Sequence, residues 1–447
     1  MGIAWPWLGW TGILIALAVG CSSAPVNLPS VAPSAEPASA ATAVADATPA
    51  TTVPSLTASA QATASPSPMP MPTRSLPPTA TIDPGVAEAL RDTTFPANYW
   101  TKTNWKKRTV DLREITSGGP PPDGIPALDA PKFDSVAQAD LWLEALEPLV
   151  VVELRGEARG YPLQILVWHE IVNDTVAGVP VLLTFCPLCN SAIAFERAMG
   201  SQVLDFGTTG NLRQSDLVMY DRQTESWWQQ ITGEAIVGDL AGALLRFLPA
   251  AIVSWQDFKD SFPQGKVLNQ ETGYSRAYGL NPYAGYDQIG SSPLPFFFKG
   301  PPDGRLLPKE RVVTVTLGGS DVAFPYTWLA QDRAVNYSLE GLDFVVLYEP
   351  TTRSALDADL IREGRSVGST GVFKAVLDGR KLTFEAATPF PAAFKDRETR
   401  STWNILGQAT GGELKGKRLE TLVHGTYFWF SWAAFKPDTI IYDGSRR

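Results

Sequence analysis

The sequence predicts a β-rich α+β fold in which two tandem copies of one unit pack as a pseudo-dimer. The first observation is a repeat with constant spacing, because residues 172–192 and 335–355 share a Val-Asn pair, a glycine, an apolar run and a following turn. The copies realign in two further pairs of segments, 221–228 with 396–403 and 255–259 with 432–436. The second observation is that apolar residues recur mostly with the period of strands.

The apolar runs place the elements of the first copy in order. Strands are predicted at 149–154, 179–185, 191–197, 203–206 and 217–220, with a turn at 157–160. Residues 161–172 predict a short helix because their apolar side chains fall near one face. A second short helix over 255–262 ends before Pro263.

Residues that both copies keep are expected to serve folding. Gly178 and Gly341 suit a hairpin turn that needs positive φ, and we expect Asn173 and Asn336 to bond backbone groups in that turn. Two further sets are interpreted as turn and core residues: Asp221 and Asp396, and the tryptophans Trp228, Trp403, Trp255 and Trp432.

Composition divides the chain into five parts. The predicted boundaries are a signal peptide at 1–21, a Pro/Ala/Ser/Thr-rich tether at 22–91, the first repeat with its N-terminal extension at 92–270, an aromatic, Pro- and Gly-rich insert at 271–309, and the second repeat at 310–447. The tether has too few apolar residues to offset its ordering entropy, so it is predicted to be disordered.

The N-terminus predicts the compartment. Residues 3–20 are almost entirely apolar and end in small residues before Cys21, a pattern that resembles a bacterial lipobox. It departs from a typical signal peptide because no Lys or Arg precedes the apolar stretch, so an uncleaved anchor helix is the alternative. In both cases the chain is extracytoplasmic and attached to the cell membrane, in the first case as a lipoprotein through Cys21.

The net charge of −9 and the absence of a basic stripe in the sequence argue against nucleic acid as a partner. No feature of the sequence indicates a particular protein partner.

The cysteines point to the chemistry. Beyond Cys21, the chain has only Cys186 and Cys189. A Cys-x-x-Cys pair closes a very small loop, so as a disulfide it would add little entropic stability. The pair is therefore more typical of a metal site or of redox chemistry.

A metal needs further ligands, and His169 is the first candidate because the second copy loses it together with both cysteines. The replacements in the second copy are Asp332 for His169, Glu349 for Cys186 and Thr352 for Cys189. Two thiolates and an imidazole suit a copper or zinc ion. Met219 is a candidate weak fourth ligand, with core packing as its alternative, and Glu170 could orient the imidazole.

Other candidates carry less weight. His424, in the second copy, could reach this site if the copies pack face to face, although a core position fits its aromatic surroundings better. Asp216, Asp221 and Glu225 could serve hydrolysis, but the second copy repeats Asp221. No pattern of a thioredoxin fold, a zinc ribbon, a serine hydrolase or a nucleotide-binding loop is present.

At these residues the chain resembles the bacterial family of "domain of unknown function 3179" proteins. The matching stretches are 168–174, 185–189 with Ala194 and Phe195, 217–228, 281–287 and 428–432, so the resemblance covers about 95–442. Asn190 departs from the small residue, such as glycine, that relatives carry there. The resemblance implies that the His and Cys-x-x-Cys pattern is typical of relatives, and it implies no activity.

Three functions follow as hypotheses. The first is a membrane-tethered extracytoplasmic protein that binds copper or zinc through His169, Cys186 and Cys189. The second is a thiol–disulfide oxidoreductase with Cys186 as nucleophile. The third is a non-catalytic envelope scaffold in which the cysteines form a structural clip.

Overall fold

The computed structural model describes residues 81–82, 85–387 and 394–444. The predicted signal peptide, Cys21 and most of the predicted tether lie outside the described residues. Within the described ranges, none of the helices has the length and apolar character needed to cross a bilayer.

The described chain is rich in strands and has few, short helices, which confirms the β-rich prediction. The N-terminal part contains β1 (Thr81–Ile82), α1 (Val86–Arg91), β2 (Lys107–Arg108), β3 (Ile115–Ser117), β4 (Phe133–Ser135), α2 (Val136–Ala139), β5 (Pro148–Leu154), β6 (Glu157–Pro162) and α3 (Leu163–His169). The middle part contains β7 (Ile171–Val176), β8 (Val179–Cys186), β9 (Ser191–Glu196), β10 (Ala198–Met199), β11 (Gln202–Val203), β12 (Phe206–Arg213), β13 (Asp216–Asp221), β14 (Trp227–Gln229), β15 (Glu234–Val237), β16 (Arg246–Leu248), β17 (Ala251–Ser254), α4 (Trp255–Ser261) and β18 (Lys266–Leu268).

Residues 269–310 are all described and contain neither a helix nor a strand. The C-terminal part contains β19 (Arg311–Leu317), β20 (Ser320–Pro325), α5 (Tyr326–Asp332), β21 (Ala334–Leu339), β22 (Leu342–Glu349), β23 (Ser369–Lys374), β24 (Val376–Leu377), β25 (Arg380–Lys381), β26 (Phe384–Ala386), β27 (Phe394–Asp396), β28 (Thr402–Trp403), β29 (Ala409–Gly411), β30 (His424–Phe428), α6 (Trp429–Phe435) and β31 (Ile440–Ile441). Short 3₁₀ helices occupy Ala97–Tyr99, Leu112–Glu114 and Ile361–Glu363.

The strands form several mostly antiparallel sheets, and two of these sheets position the site. One has the order β16-β9-β8-β7, and the other has the order β1-β2-β15-β14-β13-β12-β3. The remaining larger sheets have the orders β17-β5-β6-β18-β4, β30-β19-β20-β31, β21-β22-β23 and β26-β27-β28-β29.

Two predictions about turns need correction. Residues 157–160 are not a turn, because they belong to β6; the chain reverses at Arg155 and Gly156, which have φ of 51° and 84°. Asn173 does not bond its own turn but exchanges two hydrogen bonds with the backbone of Phe206. Its amide therefore joins strand β7 to strand β12 of the other sheet, a tertiary role that local sequence does not show.

Several other predicted details are confirmed. Gly178 and Gly341 have φ of 76° and 75°, as hairpin turns require. Asp221 accepts hydrogen bonds from Thr224 and from the indole of Trp228, which makes it a turn device tied to the core. The four tryptophans predicted to be core residues are buried: Trp228, Trp255, Trp403 and Trp432.

The core around the cysteines draws on distant parts of the chain. Cys186 and Cys189 pack in one buried apolar cluster with Met219 and Trp228 from the middle part. The same cluster contains C-terminal residues, namely Val312, Ala323, Tyr427, Trp429, Trp432 and Ala433. The segment that carries Cys186 and Cys189 is therefore enclosed by both halves of the folded chain.

Candidate metal centre

The two cysteines occupy the tight hairpin that joins β8 to β9. Cys186 ends β8 and pairs with Ser191 at the start of β9, and the backbone N–H of Cys189 donates to the carbonyl of Cys186 at 3.2 Å. Asn190 closes the turn with φ of 52°. Asparagine tolerates this left-handed conformation better than most residues, so the turn accepts it at position 190.

A second hairpin brings a carboxylate to the same place. Strands β12 and β13 are joined through Gln214 and Ser215, which have φ of 52° and 65°. Positive φ at both central residues is the geometry of a type I′ hairpin turn. The turn sets the Ser215 carbonyl against the thiols, with 3.4 Å to Cys189 Sγ and 3.7 Å to Cys186 Sγ, and it starts β13 at Asp216.

These two hairpins assemble a potential metal-binding group. The sulfurs of Cys186 and Cys189 and a carboxylate oxygen of Asp216 all lie within 4.8 Å of one another, and all three residues are buried. Both cysteines are free thiols. Two sulfurs and an oxygen at this separation can converge on one ion, since zinc–sulfur and zinc–oxygen bonds are about 2.0–2.3 Å long.

The hydrogen bonding of Asp216 supports this interpretation. Its Oδ2 accepts from the Gln229 side chain at 2.6 Å and from the Ile231 backbone at 3.0 Å. Its Oδ1 is fully buried and has no partner in good hydrogen-bond geometry, although the Cys189 thiol and the Leu217 backbone are close enough to lower the pKa of Asp216. A buried carboxylate oxygen without a well-placed donor is costly, and a cation held with the two sulfurs would compensate that cost.

The pKa values of these residues support the same interpretation. Burial raises the pKa of Asp216 to about 7 and raises the pKa of both thiols, Cys186 and Cys189. Burial and the charge of Asp216 also raise the pKa of Glu170 to about 8, against a hydrogen bond from Tyr283 that lowers it. The centre therefore gathers acidic groups for which burial outweighs the hydrogen bonds to their charged forms, and a cation would favour those charged forms.

The thiols do not have the properties of a redox nucleophile. Cys186 is 2% exposed and Cys189 is fully buried. Thiol–disulfide exchange needs a thiolate that a partner molecule can reach, and neither sulfur is accessible in this fold. The geometry thus favours metal binding over the oxidoreductase hypothesis.

The structure does not bring His169 into the group. Its Nδ1 lies 2.7 Å from the Pro126 carbonyl, which can only accept, so Nδ1 carries the proton. Its Nε2 therefore accepts from the Tyr278 hydroxyl at 2.6 Å. Burial lowers the pKa of His169, so the ring is neutral. Both nitrogens are already used to tie α3 to other segments, and this arrangement does not support His169 as a ligand.

The other predicted residues fall in three different environments. Met219 packs in the same buried cluster as the cysteines, so its role as a weak ligand stays a prediction. Glu170 does not orient the His169 ring, because both ring nitrogens have other partners. It is the left-handed C-cap of α3, with φ of 56°. His424 belongs to strand β30 and lines a separate cavity of about 280 Å³ with Glu153 and Arg418.

Sequence reasoning missed Asp216 as a partner of the cysteines. A signal was available: Asp221 aligns with Asp396, and the residue five places earlier is Asp216 in the first copy but Pro391 in the second. Asp216 is thus a residue that only the cysteine-bearing copy keeps.

Four non-glycine residues of positive φ border the group, and such strained positions often mark functional sites; they are Glu170, Asn190, Gln214 and Ser215.

A cavity of about 450 Å³ adjoins the centre. Its wall includes Leu188 of the cysteine turn, Leu217 beside Asp216, and Glu170. The insert supplies much of the remaining wall through Tyr283 and Tyr286, and the Tyr286 hydroxyl donates to the Leu188 carbonyl at 3.1 Å.

The fold and site define a β-rich protein with a buried Cys-Cys-Asp group beside an apolar cavity. A family model described as "Protein of unknown function (DUF3179)" matches residues 122–439, and the chain belongs to this family. The match includes Cys186, Cys189, Asp216 and most of the cavity wall. Comparisons with curated proteins and with solved structures found no significant match.

Proposed function

We propose that this protein binds a divalent metal ion of the zinc class through Cys186 Sγ, Cys189 Sγ and a carboxylate oxygen of Asp216. The observation that carries the proposal is that two free thiols and a buried carboxylate converge, with all three ligand atoms within 4.8 Å of one another. A +2 ion would bring two thiolates and a carboxylate close to neutrality, which lowers the free-energy cost of burying them.

The donor set favours zinc over copper(I). Two thiolates suit either ion, but a carboxylate is a hard ligand that zinc accepts and copper(I) does not prefer. Three protein ligands leave a fourth position on a tetrahedral ion. Candidates for that position are the Met219 thioether and water.

Metal content tests the proposal directly. The full-length protein, purified without chelators, is expected to contain zinc in equimolar amount, and zinc should exceed copper after exposure to both. The Cys186→Ser/Cys189→Ser variant should lose it. A protein that takes up neither metal, or a double variant that retains it, would remove the proposal.

A matched control separates His169 from the ligands. His169→Gln keeps a hydrogen-bond donor and acceptor near Pro126 and Tyr278, so it should retain the metal at a modest cost in stability. Loss of metal in His169→Gln with an unchanged fold would restore the imidazole as a ligand.

We also propose that the protein is an extracytoplasmic lipoprotein attached to the cell membrane through Cys21. The apolar 3–20 stretch and the small residues before Cys21 support this. In cell fractionation, the wild type should be found with membranes and should incorporate a labelled fatty acid, whereas Cys21→Ser should not be acylated. Equal acylation of the wild type and of Cys21→Ser would exclude attachment through Cys21.

The duplicated pseudo-dimer is a further proposal about the architecture, supported by paired geometry. Asn336 exchanges hydrogen bonds with the Phe384 backbone just as Asn173 does with Phe206. Asp396 accepts from Thr399 and from the Trp403 indole, as Asp221 does from Thr224 and Trp228. An experimental structure in which the folded parts of the two copies, residues 146–270 and residues 310–442, do not superpose would contradict the proposed duplication.

A further inference from the structure

The cavity beside the centre has an apolar body and a single acidic end. Among its lining residues, all of which are described, Glu170 is the only Asp or Glu, and none is Lys, Arg or His. Glu170 is 7% exposed, so it belongs to the buried part of the wall. Leu294 and Phe297 form part of the outer wall, and Leu294 is 39% exposed.

The acidic groups behind the cavity have no cation partner among the residues that line it. Asp216 acts electrostatically on Glu170, and both act on Cys186. Burial and the charge of Asp216 raise the pKa of Glu170 to about 8, and a bound cation would favour its ionised form because no lining residue supplies a compensating charge. The end of the cavity therefore attracts a positive group.

The basic side chains near the cavity bind other groups. The Lys309 ammonium contacts the Tyr286 ring, but it donates to the Tyr286 carbonyl and to Ser291 Oγ and does not line the cavity. Arg311 and Arg365 pair with Asp287. Glu170 thus has a Tyr283 hydroxyl as its polar neighbour and no basic side chain in the cavity wall.

We propose that this cavity binds a small organic ammonium ion, with the ammonium group at the Glu170 carboxylate beside the Tyr283 ring and an aromatic or aliphatic body toward Leu294 and Phe297. A carboxylate and a tyrosine ring are the groups that recognise ammonium ions in proteins. The volume of about 450 Å³ suits such a molecule, since small-molecule pockets span roughly 300–1,000 Å³. The inference goes beyond metal binding and does not depend on it.

Three probes with one body and different head groups test the proposal: 4-phenylbutylamine, 4-phenylbutan-1-ol and 4-phenylbutanoate. In calorimetric titrations of the full-length protein, the amine should bind about tenfold or more tighter than the alcohol, because a charge-assisted hydrogen bond exceeds a neutral one. The carboxylate should bind most weakly.

Two variants locate the binding. Glu170→Gln should reduce the preference for the amine to about twofold or less and leave the alcohol unchanged, because only the charge pair is lost. Ala284→Phe, which places a larger side chain in the exposed cavity wall, should weaken all three probes and so covers the case in which Glu170→Gln fails to fold.

The outcomes separate this inference from the metal proposal. Amine binding that depends on Glu170 and persists in the Cys186→Ser/Cys189→Ser variant supports the cavity proposal even if no metal binds. Equal binding of the three probes, a preference for the carboxylate, binding of none, or an amine preference that survives Glu170→Gln would each overturn it.

Discussion

At the scale of single residues, the centre depends on groups whose burial is costly unless they share a cation. Cys186 and Cys189 could be predicted as partners because they are neighbours in sequence. Asp216 could be marked only as a residue specific to the first copy, because it reaches the cysteines through the packing of two sheets. The sequence grouped His169 with the cysteines because the second copy lacks all three. In the structure, however, the two nitrogens of His169 are bound by the Pro126 carbonyl and the Tyr278 hydroxyl.

Replacement of Asp216 should affect metal binding more than stability. Asp216→Asn can still accept from Ile231, but it removes the anionic ligand, so zinc affinity should decrease by more than the roughly 10–100-fold typical of losing a supporting residue. Competition with a chelator dye measures this. The matched control is Asp221→Asn at the other end of β13, which should lower stability through Trp228 and leave zinc affinity unchanged. Equal affinity losses in both would contradict the assignment.

The raised pKa values predict how the stability of the metal-free protein depends on pH. Asp216 and Glu170 have a folded pKa of about 7 and about 8, above the ordinary values of 3.8 and 4.5. The folded protein therefore keeps protons that the unfolded chain has lost, so the free energy of unfolding should decrease between pH 5 and 8, by about 1.4 kcal/mol per pH unit for each proton.

Denaturant unfolding at several pH values tests this for the chelator-treated protein. The Asp216→Asn/Glu170→Gln variant should show a flatter dependence, because both titrating groups are gone. Added zinc should reverse the wild-type trend, since a metal ion competes with protons and binds better at higher pH. An identical slope in the wild type and the variant would refute the assignment of these pKa values.

At the scale of elements, two tight hairpins set the site, and their conformations could be predicted only in part. Strand β8 and the turn at Gly178 were evident from hydrophobic period and composition. The meeting of the β8–β9 and β12–β13 hairpins was not, because Asn173 and Ser215 make their decisive contacts across sheets. The strand at 157–160 was missed because its polar residues resemble a turn.

The cysteine hairpin should be sensitive to the residue at position 190. Asn190 has φ of 52°, a conformation that glycine adopts freely and a β-branched residue resists. Asn190→Gly should keep full metal binding. Asn190→Val should cost about 1–2 kcal/mol in the free energy of unfolding and weaken metal binding, measured by denaturant unfolding and zinc titration. A valine variant that matches the wild type in both would contradict this account of the turn.

At the scale of the whole molecule, the C-terminal half and the insert enclose the centre. The Cys189 carbonyl accepts the Phe428 backbone N–H at 2.8 Å, and Ser431 Oγ lies 3.4 Å from it. The β-rich class was predictable from the strand period. The enclosure was not, because residues 269–310 have no hydrophobic period and are fixed by tertiary contacts.

The insert should depend on its buried ion pairs. Asp287 is fully buried and binds Arg311, Arg365 and Ser354, so Asp287→Ala leaves a buried arginine unpaired and should cost about 3–5 kcal/mol in denaturant unfolding. Asp357→Ala, which removes the more exposed partner of Arg365, should cost about 0–1 kcal/mol. Similar losses in both variants would contradict the role of Asp287.

X-ray absorption at the zinc edge of the zinc-loaded, full-length protein tests the central claim most directly. The assignment predicts two sulfur atoms at about 2.3 Å with a shorter oxygen shell, without the outer-shell signal of imidazole. In Cys186→Ser/Cys189→Ser the sulfur shell should disappear. A first shell of nitrogen and oxygen only, or a clear imidazole contribution in the wild type, would contradict a centre built from Cys186, Cys189 and Asp216.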